Sequence, residues 1–281
     1  PSTFSDDPIS SVQEMGGDVI KESKWRWAVL LCLPNGRKVF LKRDRTKGWT
    51  GYLKYLVLPS KGKKEFLIAS QLERKSLNIP KPLGWMERVR KGLVRESYYL
   101  SEAIGTGVSF IEEDVKSKEP HSMIELAMTV RKFQDAGLFH QDLHAGNFLW
   151  GGDSLFLTDL HRAQVVKRLS LNQRLWNLSH LFHSLRSMWG EGEQLQFLDQ
   201  YYEGRFDDSQ KREILHQKIY PVMGRLQKRQ WRSRTKRCLR ESTEFTVQIE
   251  KGIRYFHRRD FPLDRLKRVI EEHRARVREK P

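Results

Sequence analysis

Three side chains near the middle of the chain have the types and spacing that metal-assisted transfer of a phosphoryl group requires. Asp142 lies in His140-Gln141-Asp142-Leu143-His144-Ala145-Gly146-Asn147, Asn147 follows it by five residues, and Asp159 comes twelve residues later. A hydroxyl attacking the terminal phosphate of ATP needs a carboxylate to orient it and take its proton. The phosphates need an oxygen-ligated Mg²⁺ to offset their charge. In H-x-D-x-x-x-x-N the Asp has the first role and the Asn the second, and a later Asp at a strand end completes the metal's ligands. The pattern casts Asp142 as base and Asn147 and Asp159 as metal ligands.

The elements around these residues must converge them. The apolar spacing over 122–136 predicts a helix that stops at Gly137. Two short strands, 148–150 and 155–158, flank the turn Gly151-Gly152-Asp153. Upstream, runs 25–33 and 38–42 joined by Pro34-Asn35-Gly36 predict a hairpin with Lys42 near the end of its second strand. Lys42 either projects toward a ligand or is a solvated member of a cluster with Arg43 and Arg45. A helix is expected over 65–77, where Glu65 either compensates the helix dipole or pairs with Lys42. Strands at 83–86 and 96–101 lead to Ala103-Ile104-Gly105-Thr106-Gly107, an inter-lobe hinge. The remainder reads as helical, over 171–189, 195–202, 209–227 and 263–276. Residues 1–18 read as a loose leader. No Gly-rich loop precedes Lys42; Lys21-Glu22-Ser23-Lys24 stands where one would lie.

Composition bounds the partners. The 281 residues carry 52 Lys+Arg against 35 Asp+Glu, a formal net charge of +17, which favours a polyanionic partner: nucleic acid, an anionic membrane or a phosphorylated substrate. The two cysteines share no metal or disulfide spacing, and Cys32, in an apolar run, is expected to be buried. With no signal peptide or spanning segment in the pattern, the expected location is cytoplasmic. Segment 48–59, aromatic and apolar between lysines, suits either a peripheral membrane contact or a linker packed on the core. Segment 224–240 holds eight basic residues, no acidic ones and Trp231. It is either a phosphate-gripping helix or a solvated face.

Together, His140-x-Asp142-Leu143-His144-x-Gly146-Asn147, Lys42, Glu65 and Asp159 resemble the protein-kinase-like superfamily. The ending Asp159-Leu160-His161-Arg162-Ala163 resembles the Kdo/WaaP lipopolysaccharide kinase family in particular. The resemblance, covering about residues 20–185, implies an α+β two-lobed kinase-like fold, with an antiparallel sheet and one helix in a small N-lobe (19–104) and a mainly helical C-lobe (105–281). It implies that Lys42 contacts the ATP phosphates, Glu65 holds Lys42, and the backbone of Glu102, Ala103 and Ile104 meets adenine. Asp142 would be the base, Asn147 and Asp159 the Mg²⁺ ligands, and His140 a brace for the loop. The implied reaction moves the γ-phosphate of ATP to a heptose or Kdo hydroxyl of the lipopolysaccharide inner core, on a lipid-linked acceptor at the cytoplasmic face of the bacterial inner membrane, with no nucleic acid involved. His144, where many protein kinases have lysine, argues for a non-protein acceptor, and the missing activation segment argues against control by loop phosphorylation. Alternatives are a kinase acting on protein or another small alcohol, and a non-catalytic scaffold on membrane or nucleic acid, which the intact Asp142, Asn147 and Asp159 disfavour.

Overall fold

Alternating apolar residues in the N-terminal third build an antiparallel sheet, because every second side chain of a strand faces the same side. The computed structural model describes residues 17–105, 107–117, 120–202, 209–242 and 244–278. The sheet has the order β1-β2-β3-β5-β4, formed by β1 (Asp18–Ser23), β2 (Arg26–Cys32), β3 (Lys38–Arg45), β4 (Pro82–Arg90) and β5 (Leu93–Glu102). Trp27, Val29, Leu31, Val39, Leu41 and Tyr98 fill its inner face. The expected hairpin of 25–42 is present, with Gly36 at φ +79° in its turn, a conformation glycine adopts without a Cβ clash. β1 was not anticipated: the leader was drawn to residue 18, yet Asp18 already pairs with Leu30, and the rest of that leader, 1–16, lies outside the described residues.

Two helices, not one, sit between β3 and β4: α1 (Gly48–Val57) and α2 (Lys61–Glu73). Segment 48–59 is thus a helix rather than a linker; none of its residues in α1 is fully buried, while Tyr52 and Tyr55 are half-buried and Tyr52 lies against Arg95 of β5. α2 starts four residues before its expected start because the Ser60 hydroxyl caps it, accepting from the Lys63 N–H. Gly62 lets α2 lie against β5, where a Cβ would run into the Tyr98 carbonyl. That close approach carries Glu65 under the sheet. Cys32 corrects its expectation: at the end of β2 it faces outward and is exposed, and both cysteines are free.

After the hinge come α3 (Phe110–Ser117), α4 (Pro120–Asp135), β6 (Leu138–His140), the hairpin β7 (Phe148–Gly151) and β8 (Ser154–Leu157), β9 (Ala163–Val165), α5 (Leu171–Leu185) and α6 (Glu191–Tyr202). A reciprocal capping box between Ser170 and Gln173 fixes the start of α5. The chain passes from β9 to Ser170 in a few residues, so the short connection expected after Arg162 is what the structure has.

The described residues fall into two compact units, one ending at Tyr220 and the other beginning at Pro221. α7 (Ser209–Cys238), longer than the expected 209–227, has Pro221 within it. The second unit also holds a hairpin that corrects the all-helical expectation: β10 (Phe245–Glu250) and β11 (Ile253–Arg258) pair antiparallel through Lys251 and Gly252, both at positive φ. α8 (Leu263–Arg278) follows. Among the described residues no helix is long and apolar enough to cross a membrane.

Candidate active site

The loop between β6 and β7 is held from below by α5. The Asn177 amide, 1% exposed, accepts from the His140 N–H (3.2 Å) and donates to the Leu138 carbonyl (3.3 Å). Ser184 accepts from the Ala145 N–H at 2.9 Å, and the Trp176 indole donates to the Gln141 carbonyl at 3.3 Å. With its backbone donors and acceptors used in this way, the loop has one well-defined shape.

His140 ties the loop to Asp159. Its Nδ1 accepts from the Asp142 N–H at 3.2 Å, which makes Nε2 the protonated nitrogen, and Nε2 meets the Asp159 carbonyl at 3.1 Å. Burial pushes the imidazole down to about 4, so the ring stays neutral near pH 7 and keeps this tautomer. The β7–β8 hairpin completes the convergence: the Thr158 N–H and hydroxyl both donate to the Asn147 carbonyl, at 2.8 and 2.9 Å. The Asn147 Nδ2 donates to the Asp142 carbonyl at 3.2 Å, so its Oδ1 is the atom a cation would use. Asp159 sits in the left-handed region (φ 58°, ψ 47°), which Asp tolerates better than most residues.

The nucleotide side is an ion network. The Lys42 ammonium bonds both oxygens of Glu65, at 3.2 and 3.0 Å, and also Asp159. Burial alone would lower the Lys42 pKa, but Glu65 and Asp159 more than offset it and hold the lysine charged. Burial would likewise raise Asp159; the His161 hydrogen bond at 2.7 Å and the Lys42 charge instead hold its carboxyl well below the usual range. Glu65, Asp159 and His161 offer ligand atoms within 4.8 Å of one another, yet the Lys42 ammonium between the two carboxylates already supplies their counter-charge. The donors that suit a hard divalent cation are the Asp159 carboxylate and the Asn147 amide oxygen.

Above the network lies a cleft of about 370 Å³ lined by Leu30, Phe40, Tyr99, Ile104, Leu149 and Leu157, with Asp159 at its end. Glu102, Ala103, Gly105 and Gly107 also line it. The Glu102 N–H donates to Lys81 and the Ala103 N–H to Lys38, so those two donors are spent inside the N-lobe.

The structure thus gathers Lys42, Glu65, Asn147, Asp142 and Asp159, and adds residues the sequence did not reveal. Arg26, at the tight β1–β2 turn, reaches Asp44 (3.1 Å) and His161 Nε2 (3.4 Å), next to Lys21–Lys24, where a Gly-rich loop would lie. Nothing local marks it. Arg162 donates to Asp142 Oδ2 at 2.7 Å, and His180 Nδ1 is 3.7 Å from Oδ1. His161 and Arg162 stood in the quoted motif, but only the fold shows what they touch.

A nucleotide-sized cleft between a five-stranded lobe and a helical lobe, closed by a Lys-Glu-Asp network and an H-x-D-x-x-x-x-N loop, defines a protein-kinase-like fold. The chain belongs to the lipopolysaccharide kinase (Kdo/WaaP) family, whose model matches residues 11–201, about two thirds of it. It is 30% identical over 128 residues to a 3-deoxy-D-manno-octulosonic acid kinase of Stenotrophomonas maltophilia (strain R551-3), a match of 45% of this chain and 51% of the relative. The chain therefore spans about half the length of that curated relative. A solved structure described as WaaP in complex with acyl carrier protein shares the fold at a TM-score of 0.56 and 19% identity, over 79% of this chain and 92% of that one.

Proposed function

We propose that this chain is an ATP-dependent kinase that places the γ-phosphate on a sugar hydroxyl, heptose or Kdo, of the lipopolysaccharide inner core. The observation that carries the reading is the convergence of Asp142, Asn147 and Asp159 with the Lys42–Glu65 pair at the end of an apolar cleft. Family membership and the name of the Stenotrophomonas relative support the sugar acceptor.

Adenine fits between Leu30, Phe40, Leu149 and Leu157 beside the backbone of Glu102, Ala103 and Ile104. Lys42, held by Glu65, reaches the α- and β-phosphates, and Arg26 covers them in place of a Gly-rich loop. Asn147 and Asp159 would hold Mg²⁺, which supplies charge neutralisation on the phosphates. Asp142 orients the sugar hydroxyl and takes its proton, with Arg162 fixing the carboxylate's direction. Phosphoryl transfer asks little covalent chemistry of a protein, so positioning and charge account for the rate. A basic surface, segment 47–64 or segment 224–240, holds the enzyme at the anionic cytoplasmic face of the inner membrane, where a lipid-linked acceptor lies.

The test is incubation with labelled ATP and a panel of core precursors ending in Kdo or in heptose, with the products mapped by mass spectrometry. Phosphate on one of these sugars supports the reading. ADP formation with label only on protein would replace it by a protein kinase.

A further inference from the structure

The helix α1 is built inside out. Trp49, Leu53 and Leu56 recur at helical spacing, the pattern of a face meant for a core, yet they are 68%, 52% and 60% exposed, and Val57 and Leu58 beyond them are 86% and 51% exposed. A contiguous apolar face of this kind on a surface helix marks a contact site. Its surroundings are cationic. Residues 46–64 include Lys47, Lys54, Lys61, Lys63 and Lys64 and no acidic residue.

Beside the helix a shallow cavity of about 510 Å³ is lined by Arg45, Arg88, Arg90, Lys91 and Arg95 against a single acid, Glu96, with Tyr52 of α1 forming part of its wall. The Arg95 guanidinium lies 4.3 Å from the Tyr52 ring centroid, and its buried Nε has no hydrogen-bond partner among the described residues. Arg90, Lys91 and Arg95 together give the cavity the cationic donors that suit a phosphate.

We infer that α1 and this cavity together form a docking site for an anionic phospholipid bilayer. The face of Trp49, Leu53 and Leu56 enters the acyl boundary, and the cavity of Arg90, Lys91 and Arg95 receives a headgroup phosphate. The pairing of an apolar helix face with flanking lysines is the chemistry of an interfacial helix. An acidic protein would match the lysines but leaves exposed Val57 and Leu58 without a reason. The inference rests on the peripheral-membrane part of the proposal above and assigns it to the N-lobe rather than to the basic face of α7.

The experiment is flotation of the full chain with vesicles of phosphatidylglycerol and phosphatidylethanolamine, against phosphatidylcholine alone, at low and high salt. Three double variants are compared with wild type: L53E/L56E on α1, R90E/K91E in the cavity, and R229E/R232E on α7. All six side chains lie outside the catalytic centre, and far-UV circular dichroism with ATP turnover checks that each variant is folded. Wild type should float with the anionic vesicles only, and each of the first two variants should lose at least tenfold in vesicle partition. R90E/K91E should also flatten the salt dependence, while the α7 variant should retain most binding. Loss confined to R229E/R232E would overturn the inference and leave membrane attachment standing. A wild type that binds neither kind of vesicle would overturn both. Unchanged flotation of L53E/L56E, with lost retention of an acidic protein or a changed mass in solution, would assign the face to that protein or to a second copy.

Discussion

The catalytic loop and the nucleotide-side network meet at Asp159 but are held together by different means. The loop of His140–Asn147 is shaped by neutral hydrogen bonds, from Asn177, Ser184, Trp176 and a neutral His140, and it leaves Asp142 partly exposed. The network of Lys42, Glu65 and Asp159 is ionic, with Lys42 and Glu65 buried and Asp159 one third exposed, so each member stabilises the others and leaves a charge stranded when one is lost. The loop should thus separate activity from stability, while the network should couple them.

The largest expected effect tests this coupling. Lys42→Met removes the cation that bonds both Glu65 and Asp159 and should cost about 3–5 kcal/mol of stability as well as activity. Asp142→Ala should lower kcat by about 10²–10⁴-fold with little change in unfolding. Urea unfolding of both variants beside turnover checks the pair; a stable, inactive Lys42→Met would break the contrast.

A pH series sharpens it. The His140 pKa in the folded chain, about 4, lies below the ordinary value near 6.5, so between those values the unfolded chain binds more protons. Stability should therefore fall as pH drops from 6.5 toward 4, by up to about 1.4 kcal/mol per pH unit from this residue. His140→Gln should remove that slope. Asp159 works in the same direction at lower pH: its depressed pKa contributes stability above the usual carboxylate range, lost as acid protonates it. The smallest effect is expected for Arg162→Ala. Its pair with Asp142 is half exposed, so stability should move by less than about 1 kcal/mol. kcat should drop roughly tenfold as the base loses its orientation.

The same contrast explains what the sequence disclosed. Asp142, Asn147 and Asp159 lie within eighteen residues, joined by a hairpin whose turn residues are visible, so local pattern sufficed to bring them together. Lys42 and Glu65 were ambiguous because their partnership depends on how α2 lies against β5, which rests on Gly62 and Ser60. Arg26 and Arg162 act only across strands and loops distant in sequence, and no residue near Arg26 announces its contact with His161. The strand β1 carries no apolar alternation and is exposed throughout, so no local pattern marks it. β10 does alternate Phe245, Val247 and Ile249 with polar residues, a strand signal that lies between long helical stretches. Cys32 lies within the apolar run 28–33, but as the last residue of β2 it is turned outward.

Transfer to a core sugar hydroxyl needs Asp142 as its base. The direct measurement is transfer of labelled γ-phosphate to Kdo- and heptose-terminated acceptors by wild type and by Asp142→Asn, with unfolding followed on the same samples. The account predicts one phosphate on one sugar hydroxyl with wild type, and a rate about 10²–10⁴-fold lower with Asp142→Asn at equal stability. Equal product from the two proteins would contradict it.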